Sequence, residues 1–115
     1  MNYNVVFHID RADELILNIT LGNIVNLFKE IDNANAFILA NFEGPKLFLK
    51  NAINSLVYEK MKNIRRDGFK IFICENSLKM LNVSKDDLID ESQFVRAGIK
   101  TLIELQAEGF AYIKP

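Results

Sequence analysis

The sequence predicts a three-layer α/β fold built on a five-stranded, mainly parallel sheet. Short apolar segments alternate with amphipathic ones along all 115 residues. The apolar segments are nearly continuous rather than alternating, as strands buried on both faces require. Gly, Pro and Asn/Asp clusters mark the junctions between them.

"NVVFHI" (Asn4–Ile9) is short, β-branched and apolar, and reads as the first strand. "DELILNITLGNIVNLFKEID" follows. Its Leu17, Leu21, Ile24, Phe28 and Ile31 form one helical stripe, with Gly22 inside it. "DNAN" is a turn, and "AFILAN" (Ala36–Asn41) is the second strand. In "FEGPK", Pro45 suits a first helical turn. The expected helix runs through Leu49, Ile53, Leu56 and Met61 to "RRDG", where Gly68 is placed to end it. "FKIFIC" is the third strand and "NSLKML" a short helix. Ser84 and Asp87 then have capping-box spacing. "SQFVRA" is a weak fourth strand, "GIKTLIELQAEG" a helix ended by Gly109, and "FAYIKP" a fifth strand.

Strict alternation argues for right-handed crossovers. Analogy with common doubly wound sheets suggests the flavodoxin-like order 2-1-3-4-5. In that order the first helix stands alone on one face, because the chain lacks a final helix. Strands four and five would expose an apolar side, and a homo-oligomer is the simplest way to cover it.

Composition bounds the function. The chain is 50% hydrophobic and 25% charged, as expected of one domain over residues 1–115. A net charge of −1 argues against nucleic acid or a membrane surface as partner. No apolar run reaches the length of a membrane span, and "MNYNVVFHID" does not read as a signal peptide. A single cysteine cannot form an internal disulfide, so a cytoplasmic location is expected. One His and one Cys do not supply a structural metal site, and neither metal nor cofactor is expected. The five glycines form neither a P-loop nor Gly-x-Gly-x-x-Gly. "DRADEL" replaces the Ser/Thr/Gly loop that a flavin phosphate would need after strand one. Cys74 stands where a phospho-receiver would carry Asp.

Ligands of open parallel sheets bind at the carboxyl ends of the strands. His8 lies near the end of strand one, and Asn41 with the Gly44-Pro45 turn follows strand two. Cys74 ends strand three and precedes Asn76 and Ser77 at a helix start. In the expected order strands one and three are neighbours, so His8 and Cys74 would be close. Free N–H groups at the helix start would lower the thiol pKa, and Glu75 would oppose them. Each residue also has a plainer reading. A lone cysteine in an apolar run is commonly a small core side chain. His8 can be a hydrogen-bonded structural residue, Asn41 and Gly44 turn chemistry, and Asn76 and Ser77 caps.

"VVFHID", the Asn and Gly-containing turn after strand two, "CENSLKMLNVSKDDL" and "AGIKTLIELQAEGFAYIKP" together resemble the DsrE/DsrF-like family over nearly the whole chain. The resemblance implies a compact three-layer α/β fold and homo-oligomers that are often trimers or hexamers, in a family of small sulfur-relay proteins and uncharacterised relatives. In its relay members a cysteine carries sulfane sulfur as a persulfide, and Cys74 falls at a cysteine position common in one subgroup. Relatives often read Asn-Gly-Pro after strand two; here Phe42-Glu43 separate Asn41 from Gly44. Three readings follow. Cys74 is a catalytic sulfur carrier exchanging with donor and acceptor proteins, with His8, Asn76 and backbone N–H groups assisting. Alternatively the protein is a non-catalytic oligomeric binding module with Cys74 as packing. A redox sensor using Cys74 sulfenic acid and glutathione is the weaker third.

Overall fold

Five strands and four α-helices make up the chain in a computed structural model that describes residues 1–115. The strands are β1 (Asn4–Ile9), β2 (Asn35–Ala40), β3 (Phe69–Cys74), β4 (Ser92–Val95) and β5 (Ala111–Ile113). The helices are α1 (Glu14–Glu30), α2 (Ser55–Lys62), α3 (Glu75–Leu81) and α4 (Gly98–Ala107). All four strand pairings are parallel, and the sheet order is β4-β3-β2-β1-β5.

The fold class is the expected one, whereas the strand order differs from 2-1-3-4-5. Burial explains why. β2, "NAFILA", buries every residue but its first and takes the centre of the sheet. β4, "SQFV", has no buried residue, and β5 is exposed along its length. Those two short strands occupy the edges, where unsatisfied backbone faces water. The flavodoxin-like order would have put polar β4 inside and apolar β2 outside.

The order sets the layers. The chain steps from β1 to β4 in one direction, so right-handed connections put α1, α2 and α3 on one face. The connection from β4 returns across the sheet to β5, which puts α4 on the other. Accordingly the main core joins Val5, Phe7, Ile9, Ile38, Ile71 and Ile73 to residues of α1, α2 and α3. A smaller core joins Val6, Phe37 and Leu39 to Leu102 and Leu105 of α4. It is therefore α4, and not the first helix, that stands alone.

Local signals account for the boundaries. Asp13 caps α1 by accepting the Leu15 N–H at 3.0 Å. Buried Thr20 is satisfied by donating to Ile16 O at 2.8 Å. The long helix expected after Pro45 is instead a 3-10 turn over Gly44–Phe48, a break, and α2. Asn54 causes the restart, because its Oδ1 accepts from the N–H groups of both Leu56 and Val57. Gly68 does not end α2, which stops at Lys62. It turns the chain into β3 at φ +85°, where a Cβ would lie 2.5 Å from Ala34 O. Ser84 and Asp87 form the expected capping box, on a 3-10 turn.

Candidate functional site

The strand order locates a topological switch point. A parallel sheet opens where neighbouring strands send their next connections to opposite faces. β3 leads into α3 on the three-helix face, and neighbouring β4 leads into α4 on the other. The switch point is therefore the carboxyl end of the β3–β4 pair. Cys74 is the last residue of β3, paired with Val95 of β4.

Two helices start at this sulfur. Cys74 is the N-cap residue of α3. The first residue of α4, Gly98, donates its N–H to Cys74 Sγ at 3.3 Å. The α4 N-cap is Ala97, which has no side-chain oxygen to offer, so a thiol stands where a capping oxygen would. Gly98 permits this approach. A Cβ there would meet Leu39 Cδ2 at 3.0 Å, Cys74 Cβ at 3.3 Å and Asn41 Cβ at 3.4 Å.

The thiol is buried, with 5% of its residue surface exposed. Burial pushes its pKa up. The Ser77 hydroxyl and the N–H groups of Gly98, Ser77 and Asn76 outweigh that effect, and the thiol sits below its ordinary value. The Asn76 N–H also reaches Arg96 O at 3.2 Å, tying the start of α3 to the end of β4. Glu75 does not stand as an isolated opposing charge, because its carboxylate pairs with Lys85 at 3.0 Å.

A second polar cluster lies toward the other edge. Asn41 Oδ1 can only accept, so in the neutral ring His8 Nε2–H donates to it at 2.7 Å. Nδ1 then accepts the Tyr112 hydroxyl proton at 2.6 Å. Beside them Lys114 pairs with Asp10 at 2.6 Å, and that hydrogen bond holds the Asp10 carboxyl below its ordinary value. These contacts fasten β5 to β1.

His8 and Cys74 are consequently not neighbours. β2 lies between β1 and β3, a lateral gap of about 10 Å at ~4.8 Å per strand. Asn41 is the residue common to both regions, bonded to His8 and packed on Gly98. Ser77 is buried, and its Oγ accepts the Phe42 N–H at 2.8 Å; the Asn76 side chain faces solvent. Gly44 is buried beneath the strand-two loop, where a Cβ would lie 2.1 Å from Ile9 O, so its part is backbone clearance. Gly98 and Tyr112 were not singled out from the sequence. The signal for Gly98 was a helix opening as Ala-Gly with no Ser, Thr, Asp or Asn cap. Tyr112 carried no local signal, because its contact with His8 spans the chain. No group of three or more His, Cys, Asp or Glu side chains is arranged to hold a metal ion. No helix is long and apolar enough to cross a membrane.

The fold and site define a small parallel α/β protein with a buried thiol, hydrogen-bonded by the first N–H of a helix, at its switch point. The chain belongs to the DsrE/DsrF-like family, whose model matches residues 23–115. Cys74, Asn41, Ser77, Gly98 and Tyr112 fall within the match, and His8 precedes it. A solved structure, that of the protein of unknown function MTH1491 from Methanobacterium thermoautotrophicum, is similar over 99% of this chain and 100% of its own, with 27% identity and a TM-score of 0.86. No curated protein matches the chain.

Proposed function

We propose that the protein is a sulfur carrier in which Cys74 holds sulfane sulfur as a persulfide. The observation that supports this best is the position of the thiol: it ends β3 at the switch point of the sheet and receives the first N–H of α4. The Cys74 thiolate attacks the outer sulfur of a donor persulfide. A Cys74 Sγ–S bond forms, the donor's S–S bond breaks, and the donor leaves as a thiolate. An acceptor thiolate then attacks the outer sulfur and Cys74 returns as the thiolate. The same N–H and hydroxyl groups that stabilise the anion before the first step receive it again after the second. Neither step needs a metal or cofactor. Asn41, Asn76 and Ser77 shape the anion site, and His8 acts on it only through Asn41. The reading places the protein in the cytoplasm, where a free thiol persists.

The protein is further proposed to act as a homo-oligomer, a trimer or hexamer as the resemblance implies. The solitary α4 presents Ile99 and Ile103 to solvent at 63% and 61% exposure. Light scattering coupled to size exclusion at micromolar concentration is expected to show no dominant 13.2 kDa monomer. A stable monomer overturns this part of the reading.

The burial of Cys74 favours a second reading, in which the thiol is packing and the protein is a binding module. Mass spectrometry separates the two. A polysulfide donor added to the native protein should add one sulfur, ~32 Da, at Cys74 and nothing to Cys74→Ser. If the native protein takes up no sulfur and resists iodoacetamide until unfolded, the binding-module reading replaces the carrier.

A further inference from the structure

A cavity of about 190 Å³ lies between the last turn of α2 and the amino ends of β3 and β4. Met61, Ile64 and Ile71 are buried and Phe69 is half-buried, and these four residues give it an apolar lining. At ~30 Å³ per water in the liquid, the space equals roughly six waters. Water there finds few polar partners, so an apolar body of that size displaces it at little cost. Ile71 precedes Cys74 by three residues on β3, about 10 Å at ~3.3 Å per residue, so the cavity is separate from the thiol.

Charged groups surround the opening. Lys62, Arg66 and Glu91 all line it. The Tyr58 hydroxyl donates to Glu91 Oε1 at 2.8 Å, so that carboxylate has a partner. Lys62 pairs with Glu59 at 3.4 Å and lies 4.7 Å from the centre of the Tyr58 ring. The ammonium of Lys70 goes elsewhere, to 5.5 Å from the centre of the Phe37 ring on the α4 side of the sheet. Arg66 is exposed and pairs with no carboxylate. Its charge acts on this cluster: the Glu91 hydrogen bond, with burial, pushes the Tyr58 hydroxyl up to about 12, and Arg66 opposes the rise. The charge left for a ligand is therefore the Arg66 guanidinium. The local field favours an anion, because Lys60–Lys70 carries Lys60, Lys62, Arg65, Arg66 and Lys70 against Asp67 alone, in a chain of net charge −1.

We propose that this cavity binds a small organic anion, with its apolar body on Met61, Ile64, Phe69 and Ile71 and its carboxylate or phosphate group on the Arg66 guanidinium. The planar guanidinium fork matches either group through two parallel hydrogen bonds. The inference is independent of the sulfur-carrier reading, because it uses neither Cys74 nor the carboxyl end of the sheet.

The test is a titration of the full chain followed by amide NMR. Benzoate and phenyl phosphate are the probes; inorganic phosphate and benzyl alcohol supply the charge and the apolar body separately. At least one probe is expected to give saturable shifts centred on Ile64, Phe69 and Ile71, and the tighter of the two identifies the headgroup. Its affinity should exceed that of both controls by about tenfold, the scale of one charge-assisted hydrogen bond. Arg66→Gln should lose about tenfold in affinity and Arg66→Lys should recover part of it. Arg66 is exposed, so both variants should unfold at the wild-type denaturant midpoint. Cys74→Ser should bind as the wild type does. No saturable shift at millimolar probe overturns the inference, as do shifts centred elsewhere, a control that binds as well as the probes, or an Arg66→Gln protein with wild-type affinity.

Discussion

The two polar regions at the carboxyl end of the sheet are built differently. Around Cys74 the groups are mainly backbone: a strand end, two helix starts and a glycine that lets them meet. Around His8 they are side chains bonded to side chains: Tyr112, Asn41, and the nearby Asp10–Lys114 pair. The Cys74 region is buried, and its donors reach the sulfur at close range. The His8 region is half-buried, and its bonds pin the terminal strand. Topology decides which kind forms where. The switch point supplies unpaired backbone N–H groups, while an edge strand supplies side chains that can reach sideways.

Gly98 tests the backbone-built half most severely. Gly98→Val puts atoms into space already occupied by Leu39, Cys74 and Asn41. It should cost about 1–3 kcal/mol of stability in denaturant unfolding, the usual range for overpacking. In whatever fraction stays folded, the thiol pKa should rise as the α4 N–H is displaced. A stable Gly98→Val protein with an unmoved thiol would break the distinction drawn above.

The next effect is on pH dependence. The folded-state pKa of Cys74 lies below its ordinary, unfolded value. For such a group the stabilisation is fully present above the unfolded pKa of about 8.5 and is lost as pH falls through the folded pKa. Wild-type stability relative to Cys74→Ala should therefore climb as pH rises through the folded pKa toward about 8.5, then level off. Chemical denaturation of both proteins across that window measures it. A flat difference would mean that the donors do not favour the thiolate.

His8→Phe probes the side-chain half. Both ring hydrogen bonds are lost, and the change should cost about 1 kcal/mol for each bond in this half-buried setting. Amide exchange in β5 should quicken while the Cys74 thiol titrates as before. A large movement of the thiol pKa would instead join the two regions into one site. Lys114→Met should have the smallest effect. The pair is partly exposed, so stability should change by no more than about 0.5 kcal/mol. The Asp10 pKa, followed by NMR, should return upward toward the ordinary carboxylate value.

Much of this was legible in the sequence, and particular residues show where legibility ended. β1 was bounded to the residue, because a β-branched apolar run is a local signal. α1 was marked by its stripe and α4 by Gly109, which adopts φ +96° just past its end. Asn54 was missed as a helix start inside an apolar stripe that seemed continuous. The strand order depends on long-range pairing, which alternation alone does not encode. A comparison of "AFILA" with "SQFV" would have put β2 at the centre and β4 at an edge. The placement of Cys74 at the end of β3 and of Ser77 at the start of α3 was legible from local position. The separation of His8 from Cys74 followed from the order, so an error in the order became an error in the site.

Titration of the Cys74 thiolate by its ultraviolet absorbance is the most direct test of the central claim, that the switch point holds this sulfur ready as an anion. The native protein should give a single midpoint below the ordinary thiol value of about 8.5, and the signal should be absent from Cys74→Ser. A midpoint at or above that value, or a thiol that titrates only after unfolding, would contradict it.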